Sequence, residues 1–235
     1  MDIQQYIAAD KELLLSLNGS DSLFWDGFMW VATSTVVWLP VAVILLYIII
    51  KNNKLQETLL IIALIALVIT LADQIASGIC KPFFARYRPT QDPDIMYMVD
   101  IVNGYRGGRF GFISSHAANT FAVAVFLSLL IRRQSLTFML VLWAMLNSYS
   151  RIYLGVHYPG DILFGALEGC VVGYLVYLLY RLIQKKCFPK PRYISNQYTA
   201  GGYLIEDIRL LYFVLIATYF FILVAGIATV YRLHL

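Results

Sequence analysis

Residues 59–80 read LLIIALIALVITLADQIASGIC, and Lys81-Pro82-Phe83-Phe84-Ala85-Arg86-Tyr87-Arg88-Pro89 follows at once. The apolar block carries a single charge, Asp73, and matches the roughly 20 residues that a helix needs to cross a bilayer. The polar block behind it, running to His116 and rich in Gly, Arg, Asp and Pro, is too hydrophilic to lie in lipid. One apolar crossing thus delivers a charged segment to a membrane surface.

The rest of the chain repeats the pattern. Of 235 residues, 60% are hydrophobic and only 14% charged, and the mean hydropathy is +0.71. A soluble domain sits near half apolar and a quarter charged. The fold class is therefore all-α: a polytopic membrane helical bundle of about six transmembrane helices, one membrane domain over residues 1–235. Residues 1–22 read as an amphipathic N-terminal helix ended by Asn18-Gly19-Ser20. Spans are expected at 23–50, 59–80, 117–131, 136–154, 161–182 and 210–231, with a loop at 183–208. No secretory signal peptide is expected, because residues 1–23 hold one Lys, no Arg and no apolar core of suitable length. Cys80, Cys170 and Cys187 have no metal-ligand or disulfide-like spacing and read as structural. The net charge of +4 lies mostly in short loops. No basic polar face exists outside Lys185 to Arg192, which leaves nothing for nucleic acid.

Those loops set the orientation. Cytoplasmic loops accumulate Lys and Arg, so Lys51/Lys54, Arg132/Arg133 and the run Lys185, Lys186, Lys190, Arg192 belong inside. The acidic N-terminal segment, the 81–116 loop and the turn around His157 then face outward. Arginines in that outer loop break the charge rule and need another purpose.

Three clusters return to the outer surface: Lys81 to Pro89; Phe112-Ile113-Ser114-Ser115-His116; and Ser150-Arg151 followed by His157 and Asp161. Lys81, Arg88 and Arg151 supply positive charge, and the planar arginine fork matches phosphate oxygens two at a time. Ser114 adds a hydroxyl, and the start of the third span adds free N–H groups at the positive end of a helix dipole. Phosphoryl transfer to water needs a nucleophile and a proton donor, and two histidines are present. Asp161 can accept from His157 Nδ1 and leave Nε2 free to attack. No carboxylate cluster suggests a metal, and no cofactor is expected.

In these residues the chain resembles the type 2 phosphatidic acid phosphatase (PAP2) superfamily, whose signature is K-x6-R-P, P-S-G-H and S-R-x5-H-x3-D. Residues 81–89 and 150–161 match the first and third elements in full. In the second, Ile113 replaces Pro and Ser115 replaces Gly, while Ser114 and His116 are kept. The resemblance, carried by residues 81–161, implies that His157 forms a phosphohistidine and Asp161 orients it. It implies that His116 protonates the leaving alkoxide and then activates water, and that Lys81, Arg88, Ser114, the Ser115 N–H and Arg151 hold the phosphate. A Gly-to-Ser change costs access to positive φ, so a modest loss of activity is expected at Ser115.

The expected function is a lipid phosphatase acting on a phosphomonoester or diphosphate at the periplasmic face of a bacterial inner membrane. Undecaprenyl diphosphate is the favoured substrate; lipid A, phosphatidylglycerophosphate and phosphatidate are the alternatives. The family resemblance also extends to soluble vanadate-dependent haloperoxidases, against which six spans argue. Phosphotransfer between lipids would use the same intermediate. A transporter would show repeated halves meeting in mid-membrane, and neither feature is present. Asp73 and Glu168 are ionisable residues inside spans and candidates for a supporting role. Asp73 lies eight residues before Lys81 and can share its face. Arg86, Arg106 and Arg109 read equally as headgroup contacts and as solvated loop charges, and His234 as incidental.

Overall fold

The computed structural model describes residues 2–187 and 196–232. Lys190, Arg192 and His234 lie outside them. Among the described residues the secondary structure is helical, with two isolated β-bridges, Tyr87–Phe110 and Tyr198–Leu204. Helix α1 spans Ile3–Leu17, capped by Asp2 and Gln5 in a reciprocal capping box. Then come α2 (Leu23–Ala32), α3 (Leu39–Asn52), α4 (Leu55–Asp73) and α5 (Lys81–Phe84). They are followed by α6 (Ser115–Ile131), α7 (Gln134–Tyr153), α8 (Pro159–Cys187) and α9 (Ile205–Arg232). Among the described residues, four stretches are long and apolar enough to cross a membrane: Thr35–Asn52, Leu55–Phe84, Pro159–Cys187 and Ile205–Thr229. The shorter apolar α6 and the more polar α7 complete the bundle.

Helices α4, α8 and α9 run a few residues past the expected span ends, into the expected 183–208 loop for the last two, and two further differences bear on the site. The stretch expected as one span at 23–50 is two helices, α2 and α3, separated by a 3₁₀ turn at Thr35–Trp38. Ser34 is extended, and Pro40 in the first turn of α3 has no N–H with which to continue a helix from α2. The freed carbonyl of Ala32 accepts from Trp38 Nε1 at 2.8 Å. The second span does not end at Cys80. A π-helical segment, Gln74–Cys80, carries α4 directly into α5, so Lys81 sits within the helix end.

The core of the bundle is a seam of small residues between α6 and α8. A Cβ added at Gly165, Gly169 or Gly173 would collide with the backbone carbonyl of Ser114, Ala118 or Ala122, respectively. Each set repeats every four residues, so the two backbones meet face to face along the seam, as small residues allow in membrane helix pairs. The seam fixes where the chain leaves it: Ser114 N–H donates to the Asp161 carbonyl at 3.0 Å, bringing the second and third clusters together.

Ion pairs stand at both ends of the bundle. At the end away from those clusters, Lys51 pairs with Asp207 at 2.6 Å, and Asn52 bonds both Asp207 and the N–H of Leu204. At the other end α1 lies across the 81–114 loop. Its Leu14 is fully buried against Ile95, Val99, Ile152 and Tyr158, while Ile3, Tyr6 and Leu13 are exposed.

Candidate active site

His157 occupies the turn between α7 and α8 and is 1% exposed. Its Nε2 lies 3.3 Å from Arg88 Nη1. A guanidinium cannot accept a hydrogen bond, so this contact requires a lone pair on Nε2 and puts the ring proton on Nδ1. Nδ1 in turn lies 3.4 Å from Asp161 Oδ2, with alignment short of a full hydrogen bond. Burial, helped by the charges of Arg88, Arg151 and Lys81, holds the imidazole well below its ordinary range. The ring is therefore neutral at pH 7, with its free lone pair turned toward the cations.

Asp161 is fully buried in the first turn of α8. Its Oδ2 accepts from the Tyr158 N–H at 3.0 Å, the return half of a capping box. Its Oδ1 accepts from Arg86 Nη1 at 3.0 Å. Arg86, which the sequence reads equally as a headgroup contact and as a solvated loop charge, thus packs into the site through Asp161. Its other partner, Asp10, is 76 residues away, and no local spacing signals it. Arg106 and Arg109 serve the loop instead, donating to the Thr90 carbonyl and the Tyr87 hydroxyl.

The cations expected to hold phosphate converge here. Arg88 donates Nε to the Phe110 carbonyl at 3.1 Å and Nη1 to the Val156 carbonyl at 3.3 Å. Arg151 is 4% exposed, donates to Thr33 Oγ1 at 2.9 Å and Tyr105 OH at 3.2 Å, and packs on the Tyr105 ring. The break after α2 is what presents Thr33. Lys81 donates to Ser77 Oγ at 2.9 Å and Ser115 Oγ at 3.1 Å. Ser77 donates on to Asp73 at 3.3 Å, so Asp73 reaches Lys81 through a hydroxyl rather than directly. Glu168 has no hydrogen-bond partner among the described residues.

Ser114 is the N-cap of α6, its hydroxyl oxygen accepting from Ala117 N at 3.4 Å. Ser115 is the first residue of α6 and not among the positive-φ residues. The conformational freedom of a glycine is not needed there, and the extra hydroxyl gives Lys81 a partner. The expected penalty at Ser115 has no structural basis. His116 follows on the same first turn, half-buried and within electrostatic reach of Arg151, His157, Arg88 and Lys81. Phe84, Phe112 and Phe164 form an aromatic edge beside these groups, with ring centroids 4.8 and 5.5 Å apart in succession. Phe84 and Phe164 are more than half exposed.

Comparison with known proteins shows what the chain resembles. The sequence model of the PAP2 superfamily matches residues 62–185. The lipid A 4'-phosphatase of Bacteroides thetaiotaomicron is 47% identical over 171 residues, 72% of this chain and 76% of that protein. The lipid A 4'-phosphatase of Porphyromonas gingivalis is 35% identical over 178 residues, 76% of this chain and 75% of that protein. An undecaprenyl-diphosphatase of Sulfolobus acidocaldarius is more distant, 29% identical over 175 residues, 73% of this chain and 79% of that protein. Among solved structures, a transmembrane PAP2-type phosphatidylglycerolphosphate phosphatase from Bacillus subtilis superposes with a TM-score of 0.61. That match is 22% identical and covers 79% of this chain and 90% of the other.

Proposed function

The chain belongs to the PAP2 superfamily and is an integral membrane lipid phosphatase, and on that premise we propose that it removes the 4'-phosphate of lipid A at the periplasmic face of a bacterial inner membrane. The relation to two lipid A 4'-phosphatases supports this substrate over undecaprenyl diphosphate, the first expectation from sequence, whose hydrolases are more distant relatives.

The observation that carries the chemistry is the Arg88–His157–Asp161 alignment: a neutral imidazole, its proton on Nδ1 facing a carboxylate and its Nε2 lone pair facing the cations. In the first step Nε2 attacks phosphorus, the P–O bond to the sugar breaks, and His116 gives its proton to the departing alkoxide. The imidazolium charge that develops on His157 is met by Asp161. In the second step His116 takes a proton from water, the hydroxide attacks the phosphohistidine, and inorganic phosphate leaves. Lys81, Arg88 and Arg151 neutralise the phosphate oxygens throughout, together with the free N–H groups at the start of α6. The exposed aromatic edge of Phe84, Phe112 and Phe164 gives the lipid an apolar flank beside the cations. The acidic N-terminal segment shares one end of the bundle with the catalytic groups, while Lys51 and the Arg132/Arg133 turn stand at the other, which supports the outward orientation.

The test is phosphate release by purified protein in detergent from lipid A, undecaprenyl diphosphate, phosphatidylglycerophosphate and phosphatidate, each with wild type and His157→Ala. Lipid A is expected to be the best substrate, and the variant is expected to lose turnover by several orders of magnitude. A folded variant within about tenfold of wild type would remove His157 from the nucleophile role. Faster turnover of undecaprenyl diphosphate would overturn the substrate.

A further inference from the structure

A chain of polar contacts, two of them ion pairs, runs from the proposed nucleophile out to the first helix. His157 Nδ1 faces Asp161 Oδ2 at 3.4 Å, Arg86 Nη1 reaches Asp161 Oδ1 at 3.0 Å, and Arg86 Nη2 reaches Asp10 Oδ2 at 2.7 Å. Asp10 Oδ1 then accepts from the N–H of Gly160, in the first turn of α8, at 2.8 Å. The Arg86 guanidinium also lies over the Tyr158 ring, 4.0 Å from its centroid. Asp10 belongs to α1, outside the residues that the family's sequence model matches.

We propose that Arg86 and Asp10 are positioning residues of the phosphatase: Asp10, delivered by α1, holds one arm of Arg86, so that the other holds the Asp161 carboxylate toward His157. The proposal rests on the reading of His157 as nucleophile. Its physical basis is competition. A guanidinium left alone with a carboxylate pairs with it through two parallel hydrogen bonds. On Asp161 that arrangement would claim both oxygens and turn Oδ2 away from Nδ1. Asp10 occupies the second arm, so Arg86 meets only Oδ1, and Oδ2 stays with His157 and the Tyr158 N–H. The arrangement needs α1 in a fixed place, and several contacts fix it. Leu14 is buried against the outer loop and Lys11 pairs with Asp92 and Asp94 at 3.0 and 2.6 Å. Asn18 donates to the Tyr153 carbonyl and accepts from the Asp100 N–H, both at 2.7 Å.

The test uses the full chain in detergent with a lipid phosphomonoester that wild type hydrolyses, comparing Asp10→Asn and Arg86→Gln with wild type and His157→Ala. A displaced orienting group should lower kcat by about tenfold or more, since misplacement by 1 Å costs up to ~100-fold, while KM stays within about twofold. The acid limb of the kcat profile supplies a readout that mere structural damage would not move. The groups facing His157 are Arg88 from the outer loop, Arg151 from α7, Lys81 from α5, His116 from α6 and Asp161 from α8; both variants keep all of them. Removing the Asp10 charge makes the surroundings of His157 more positive and moves the limb down. Removing the Arg86 charge moves it up. Opposite shifts with reduced kcat support the proposal. Wild-type kcat in folded Asp10→Asn overturns it, and so do reduced rates with the limb unmoved in both variants. If Asp10→Asn does not fold, the Arg86→Gln limb decides by its direction. Inactive His157→Ala beside a wild-type-like Asp10→Asn defeats this inference alone; active His157→Ala defeats the nucleophile assignment beneath it.

Discussion

Replacing Arg88 by lysine keeps the charge of the site and removes the shape of the group that carries it. In the structure the guanidinium is divided: Nε and Nη1 are engaged by the carbonyls of Phe110 and Val156 and by His157 Nε2, at 3.1, 3.3 and 3.3 Å. Nη2 makes no hydrogen bond to a described residue, and on the proposed mechanism it is the arm that meets phosphate. A lysine has one nitrogen. It cannot reach two separated carbonyls and a phosphate oxygen at once. A hydrogen bond to a charged group is worth about 1.5–3 kcal/mol, and a buried acceptor left unpaired costs about 1–3 kcal/mol. The first figure, at about 1.4 kcal/mol per decade, gives a loss of roughly tenfold to a hundredfold or more in kcat/KM. The second, at about 2–4 °C per kcal/mol for a chain of this size, gives a fall in Tm of at least a few degrees. Phosphate release from lipid A and thermal unfolding of the same detergent-solubilised protein measure the two effects. If Arg88→Lys retains kcat/KM within about threefold and melts with wild type, the arginine acts as a point charge and the divided-fork account is wrong.

Because His157 is held neutral by burial and by the cations around it, it takes up its proton more readily in the unfolded chain. Stability conferred by the neutral ring should be complete above the unfolded value near pH 6.5 and decline below it. The slope is about 1.4 kcal/mol per pH unit for one proton, and the stability difference between wild type and His157→Gln from pH 7 to 5 reports it; a constant difference would refute it. Vanadate, a mimic of five-coordinate phosphorus, should inhibit, and activity should survive EDTA because cationic side chains neutralise the phosphate; loss with EDTA and rescue by Mg²⁺ would contradict that. With the three native cysteines replaced, a cysteine at Tyr97, which is 89% exposed, should react with an impermeant thiol reagent once the outer membrane is opened, and one at Asn196 should not. Labelling only at Asn196 would invert the orientation.

Hydropathy made most of the bundle legible, because a membrane span is a long-range property of composition and needs no partner to be recognised. The motif residues were legible for a related reason: their spacing is short within each cluster. Other features depend on partners distant in sequence. The break at Ser34 sits in a stretch apolar on both sides. Thr33-Ser34-Thr35 and Pro40 were its available signals, but only the position of Arg151 explains why Thr33 is exposed to it. Tyr105 could not be told from other loop aromatics until its hydroxyl met the same arginine. Ser115 misled in the other direction. A glycine in a motif suggests positive φ, yet this position is the first residue of a helix, where serine is comfortable.

The partners of the cations separate their roles better than their positions do. Arg88 is held by backbone carbonyls and a neutral imidazole, Arg151 by a threonine and a tyrosine hydroxyl, and Lys81 by two serine hydroxyls, the nearest carboxylate standing behind one of them. Neutral partners fix a cation's place and leave its charge uncompensated. Three such charges in a buried site repel one another and push His157 toward neutrality, a cost that the arrival of a phosphate dianion reverses, so the electrostatic work is done before substrate binds. Arg86 reaches Asp161 but is flanked by two carboxylates. Its charge is already compensated and has little left to offer an anion. On the proposed mechanism the same residue type serves two ends in one site: an arginine that meets neutral acceptors binds phosphate, and one that meets aspartates holds the machinery in place.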